Sequence, residues 1–407
     1  MPKDIVILCD GTGNEIGTNI SNVLKLFRVL DKDDRQRVYY HPGVGTIGLQ
    51  STWGRFKQKV RGLMGLATGA GLDEDVLGCY RFLCNHYEKG DRVFLFGFSR
   101  GAYTVRVLAA FAHVIGLLPV DQLDLAGYAL TSYKQASAEG QKDDGSFDDT
   151  ALKEAWHFSQ IAGGRNVDIE FIGVWDTVAS VIVPRQDKFW FDLQMLLFTR
   201  TNPSVKKFRQ AMSIDERRRM FRLNKWIEPQ QYRTDQFDPA TGVPQDIRQV
   251  WFAGVHSDVG GGYPEAESGL SKFPLIWMIE QARHAGLRMD QAMIDHLAWG
   301  VPLPPHRHDY VPPNAAAELH DSLTGAWWIL EWLPKSDKWK EWPARKSFLG
   351  YYLPLGEPRF IKDGVLIHRS VLDRQAQVPD YRPINLPQSY QIEEMSPAPL
   401  APGAQVA

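Results

Sequence analysis

Residues 97–103 read GFSRGAY, with Ser99 flanked two positions away on each side by glycine. G-x-S-x-G between a strand and a helix is the pattern of a nucleophile elbow, a tight turn that lifts a serine hydroxyl above a sheet edge. Gly97 and Gly101 leave room for the strained backbone and its neighbours. The same turn aims the Arg100 backbone N–H at the place where an oxyanion would develop. A chain with 35 glycines can show five such letters by accident. The apolar run RVFLFGF before them and AYTVRVLAAFAHVIGLL after them give the motif its strand and its helix.

A serine hydroxyl needs a base, and the base needs an orienting acid. For an elbow of this kind the chain order is Ser, then Asp or Glu, then His. GVWDTVAS supplies Asp176, and GVHSDVGGGY supplies His256. His368, in VLIHRSV, is the competing base, and Asp176 could instead cap a helix. Asp258 sits two residues from His256 on one loop, which is poor geometry for the acid, so it is expected to brace the loop. CDGTGNE (9–15) offers the backbone N–H of Gly11 or Thr12 as a second oxyanion donor. Asp10 should then turn its carboxylate onto backbone N–H groups, away from the oxyanion. The same letters resemble the start of Asp-nucleophile phosphatases, but Leu8 stands where their first aspartate would be. One rival reading is a metal phosphohydrolase built on Asp10, Asp176, His256 and Asp258, and a second is a non-catalytic delivery or interaction module that keeps the hydrolase fold. GVGTIG (43–48) matches a dinucleotide fingerprint in letters only, since no strand ending in an acid follows about 20 residues on. It is expected to line the site as a loop. HRHD (306–309) lies in a Pro-rich stretch and is expected at the surface.

These residues must be carried to one place. Five apolar runs read as buried parallel strands: DIVILCD, RVYYHPG, RVFLFGF, DIEFIGVWD and RQVWFAGV. Helical spacing recurs in 73–87, with Gly90 as a stop. Strand alternating with helix predicts an α/β fold, a mostly parallel doubly wound sheet flanked by helices. In such a sheet the strand C-termini share one edge, where ligands bind. Asp10, Ser99, Asp176 and His256 all fall at or just past such ends. Residues 135–150 read as a polar surface loop. Residues 183–247, with KFWFDLQMLLF and DERRRMFRLNKW, read as a helical, cap-like insertion. A Pro- and Trp-rich part covers 300–387, and 393–407 has the composition of a disordered tail. One domain is expected over residues 1–392.

The chain has 407 residues and a formal net charge of -2, which argues against a dedicated nucleic-acid binder. Three cysteines, Cys9, Cys79 and Cys84, are too few and odd in number for a disulfide framework, so reduced thiols in the core are expected. No signal-peptide pattern and no stretch of 18 apolar residues occurs, which predicts synthesis in the cytoplasm. Export by a route that needs no signal peptide stays open.

ILCDGTGN, HPGVGT, GFSRGAYTVR, GVWDTVAS, SIDERRRMF, HSDVGGGY, IHRSV and YRPINLP together resemble an α/β-hydrolase family long labelled a domain of unknown function. It includes the catalytic domains of class 1 type VI secretion lipase effectors, and the resemblance spans roughly residues 3–387. It implies an α/β-hydrolase-like fold and a serine lipase or phospholipase of the A1/A2 type, working without cofactor or metal. It puts the nucleophile on Ser99, the acid on Asp176 and the base on His256. The partners it implies are a lipid or other ester, a transient membrane surface and, for an effector, a secretion apparatus or immunity protein. Residues 183–233 would meet lipid through Phe189, Trp190, Phe191, Leu193, Met195, Leu196, Leu197 and Phe198, beside Arg217, Arg218, Arg219 and Arg222. The alternative is that these aromatics pack on the core and the arginines pair with Asp215 and Glu216.

Overall fold

The structure, a computed structural model, describes residues 2–11, 19–43, 71–140, 152–178, 182–184, 191–193, 196–234, 239–305, 308–325 and 327–395. Its main sheet has eight strands: β1 (Asp4–Cys9), β2 (Gln36–His41), β3 (Arg92–Phe98), β4 (Ile169–Trp175), β5 (Val205–Ser213), β6 (Asp246–Phe252), β7 (Val365–His368) and β8 (Tyr390–Glu393). Their order is β8-β7-β6-β5-β4-β3-β1-β2. The pairings of β1 with β2 and β3, of β3 with β4, and of β7 with β6 and β8 are parallel. β1 is buried along its whole length and β3 and β4 nearly so, as expected of strands covered on both faces. Helices flank the sheet: α1 (Asn22–Val29), α2 (Leu72–His86), α3 (Ser99–Ile115), α4 (Ala126–Glu139), α5 (Leu152–Ile161), α6 (His256–Gly260), α7 (Lys272–His284), α8 (Gln291–Trp299), α9 (Trp327–Glu331) and α10 (Arg369–Gln377). The α/β-hydrolase-like architecture is therefore present.

The described chain clusters into two compact units. The first comprises Met1–Glu15, Lys32–Gln210 and Leu223–Arg248; the second comprises Ile16–Asp31, Ala211–Arg222 and Gln249–Ala407. In the first, α3 is buried at every one of its residues. It packs on β1, β3 and β4 and against α2, α4 and α5, which is why its sequence is apolar nearly all round. Among its buried polar residues is Arg106, a guanidinium fully enclosed on α3. It donates to Asn224 O and to Gln210 Oε1 and lies over the rings of Phe208 and Trp226. In the second unit, α1 packs on α7 and α8. Asn22 donates to Val259 O and Ser271 O, fixing the segments around α6 and α7. Cys9, Cys79 and Cys84 are free and buried, with the Cys9 and Cys79 sulfurs 3.4 Å apart.

Three expectations change. Residues 183–247 hold no α-helix among the described residues; they hold β5, short antiparallel pairs and two 3-10 turns. The sequence of β5, VKKFRQAMS, looks unlike a core strand because it carries Lys206, Lys207 and Arg209. Ion pairs explain it: both lysines reach Glu170 on β4, and Arg209 reaches Asp246. Secondly, residues 135–139 of the anticipated loop are the end of α4; residues 141–150 lie outside the described ones. Thirdly, α2 closes at Tyr87, before Gly90.

Candidate active site

The elbow is built as its chemistry requires. Phe98 is extended and Ser99, the first residue of α3, has φ of 57°, a left-handed conformation that costs a non-glycine residue energy. A Cβ at Gly97 would lie 2.6 Å from Ala102 N. A Cβ at Gly101 would overlap the carbonyl oxygens of Cys9 and Asp10 at the end of β1. The two glycines thus let the strand reverse into the helix while α3 presses on the neighbouring strand. Arg100 belongs to the first turn of α3, whose N–H groups find no acceptor within the helix. Burial pulls its guanidinium down, opposed by Asp75, and burial lifts the Asp75 carboxyl to about 6.

Asp176 follows β4 as Ser99 follows β3. Phe98 pairs with Trp175 in register, so both residues stand one position past a matched pair on adjacent strands. Asp176 is fully buried and also left-handed, with φ of 38°. Its loop is held by a bridge between Val178 and Leu223 and by Asn224 N–H donating to Thr177 O. Arg106 grips that same Asn224, so one buried cation on α3 braces the loop that carries Asp176.

The turn after β1 departs from expectation in one respect. Asp10 does face backbone, but Oδ1 takes the Gly11 N–H at 2.7 Å, and Oδ2 takes the Tyr40 hydroxyl at 2.8 Å. The Gly11 N–H is thereby committed to a carboxylate rather than aimed at an oxyanion. Thr12 lies outside the described residues. Gly43 packs on this turn, since a Cβ there would come within 2.6 Å of Asp10 O and 2.7 Å of Gly11 O. The rest of 43–48 lies outside the described residues, as do His306 and Arg307 of 306–309, and Phe189, Trp190 and Met195.

In the second unit, His256 opens α6 and is buried. Phe221 meets its ring edge-on at 4.8 Å. The two N–H groups that enter the helix are each bound by a carboxylate. Val255 N–H donates to Asp258 Oδ2 at 3.0 Å, and His256 N–H donates to Glu216 Oε2 at 3.2 Å. Asp258 therefore braces its own loop. Burial pushes its carboxyl up, opposed by Val255 N–H and by His320. Glu216 is fully buried and accepts from the Arg218 backbone and guanidinium and from Ser322 Oγ. Burial raises its carboxyl, but Arg218, Arg359 and His256 outweigh it and leave it below the usual range. His368 is spent differently. Its Nδ1 accepts the Ser370 N–H and so caps α10, its ring stacks on Phe252, and burial lowers it to about 3. Among the described residues, no group of three or more His, Cys, Asp or Glu is placed to hold a metal ion.

The arginines of 217–222 are tied to protein. Arg218 pairs with Glu216, Arg219 and Arg222 pair with Glu341, and Arg217 Nε donates to Gly356 O. Leu196 belongs to the hydrophobic core of its unit, and Leu197 and Phe198 pack on it. Glu216, Phe221, His320 and Ser322 were not legible as site residues. In the sequence Glu216 stands out only within SIDERRRMF and as an arginine partner, and 308–325 carries no periodic pattern.

A model of the type VI secretion phospholipase effector Tle1-like catalytic domain matches residues 3–281. An uncharacterized protein of Saccharomyces cerevisiae, YEL023C, is 22% identical, over 95% of this chain and 81% of that protein. A crystal structure of an uncharacterized Pseudomonas aeruginosa protein aligns at a TM-score of 0.36 and 20% identity, over 71% of this chain and 46% of that one. The structure of the Tle1 effector bound to the VgrG spike of the type 6 secretion system aligns at 0.31 and 18%, over 66% and 53%. The chain thus spans about half the length of the two solved structures. No helix among the described residues is long and apolar enough to cross a membrane. The match covers more than half of the chain, which belongs to the Tle1-like phospholipase effector catalytic-domain family.

Proposed function

We propose that the chain is a serine ester hydrolase of the lipase or phospholipase A type. The observation that carries this reading is the strained Ser99 backbone between two glycines that admit no side chain. In the proposed reaction, Ser99 Oγ attacks the ester carbonyl carbon while His256 takes its proton. The alcohol leaves with that proton, and water then hydrolyses the acyl-enzyme by the same route reversed. Asp176 holds the imidazole in the useful tautomer, and the Arg100 N–H donates to the oxyanion. A lipid ester as substrate is supported by the family's description as phospholipase effectors. The same description supports a secretion-apparatus partner, with an immunity protein as the natural counterpart.

Labelling with a fluorophosphonate probe, with and without chelator, tests the reading. One modified residue, Ser99, is expected, unaffected by chelation. An unlabelled protein whose hydrolysis stops with chelator would replace it by the metal constellation of Asp10, Asp176, His256 and Asp258.

A further inference from the structure

His320 lies in a stretch without helix or strand, yet its ring is held on three sides. Nδ1 is 2.7 Å from Asp258 Oδ1, and Nε2 is 3.2 Å from Glu267 Oε2. Tyr263 stacks on it with ring centroids 3.6 Å apart and planes 12° apart. An ionised carboxylate only accepts, so both nitrogens must donate, and only the imidazolium does that. Two residues on, Ser322 donates to Glu216. Asp258 and Glu216 are the two carboxylates that bind the N–H groups of Val255 and His256. One short segment therefore grips both carboxylates that set the entry of α6.

We propose that residues 320–322 form a strap over the His256 loop, in which His320, acting through Asp258, is a positioning residue for His256. This rests on reading His256 as the base. The strap adds a second protonation to the site. The base must be neutral, which sets an acid limb, whereas the strap must be charged, which sets an alkaline one. Burial works against the His320 charge, but Asp258 and Glu267 outweigh it and hold the ring protonated above the ordinary histidine range. The contribution is thus complete at low pH and lost as pH rises through that raised value. Tyr263, which faces the ring, is itself pushed up by burial and by Asp258, opposed by Arg218 and supported by Glu216 and Asp321.

The experiment follows Ser99 phosphonylation by a fluorophosphonate from pH 6 to 10, alongside histidine-ring NMR of the full chain. In the wild type the alkaline fall in rate should share its midpoint with the His320 titration. Glu267→Gln should lower both midpoints together. His320→Asn should remove the alkaline limb and slow labelling about ten- to a hundredfold. A His320 midpoint that moves in Glu267→Gln while the rate limb stays would overturn the proposal. Absence of labelling at every pH would instead sink the hydrolase reading. The strap is then judged by NMR alone: the His256 ring resonance must follow the His320 titration, and indifference to it refutes the coupling.

Discussion

Gly101→Ala isolates the close approach that makes the elbow. Gly101 is helical, so alanine by itself should favour α3 by about 1 kcal/mol. The new Cβ, however, would sit 2.5 Å from Asp10 O and overlap Cys9 O. Carbon–oxygen contacts of this kind settle near 3.3–3.6 Å, so α3 and the end of β1 must part by roughly 1 Å. Both partners are backbone, in elements paired or packed along their length, and neither can swing aside. Overpacking of this kind costs about 1–3 kcal/mol, which leaves a net destabilisation of about 0–2 kcal/mol. The fold survives with a melting temperature lowered by a few degrees at most. The turn bearing Ser99 moves with the helix, and a displacement of about 1 Å can cost roughly a hundredfold in rate. Fluorophosphonate labelling of Ser99 measured beside thermal melting separates the two effects. Gly127→Ala on α4 is the control, since a Cβ there meets nothing within 4 Å; it should stabilise slightly and label normally. A Gly101→Ala protein that labels at the wild-type rate would refute the claim that this contact sets the elbow.

Ser99→Ala, His256→Ala and Asp176→Asn should each abolish most hydrolysis without adding up, because a triad acts as a unit. His368→Ala should lower stability by about 1 kcal/mol through its lost cap and leave labelling intact, as melting and labelling together would show. Lys272 is buried, pairs with Glu265 beside Lys25, and is lowered by burial to about 7. A depressed lysine contributes stability above its unfolded value near 10.5 and loses it as pH falls toward 7. Lys272→Met should therefore flatten the rise in melting temperature between pH 7 and 10; an unchanged slope contradicts the burial of the charge. Replacing Trp190 and Phe191 by serine should hurt hydrolysis of phospholipid vesicles far more than that of soluble short-chain esters. Equal loss on both, with lower stability, would make these side chains core.

All five strands read from the sequence are present, and three of them, β1, β3 and β4, show why: a strand covered on both faces must be a short unbroken apolar run. The elbow was legible for a similar reason: glycine at 97 and 101 around a serine has a steric meaning before any fold is known. β5 escaped notice because its lysines and Arg209 look wrong for a sheet until Glu170 and Asp246 are seen beside them. The helical character read into 183–247 came from composition, and composition does not record which partner a charged side chain will meet. Only tertiary structure decided that the Gly11 N–H is taken by Asp10 and that His368 caps a helix. It likewise decided that His256 enters α6 between Glu216 and Asp258. Those carboxylates are held by Ser322 and His320, 106 and 62 residues away along the chain. Local pattern fixes what a segment can become. Hydrogen bonds across such separations depend on where the whole sheet brings its strand ends, and no periodicity encodes them.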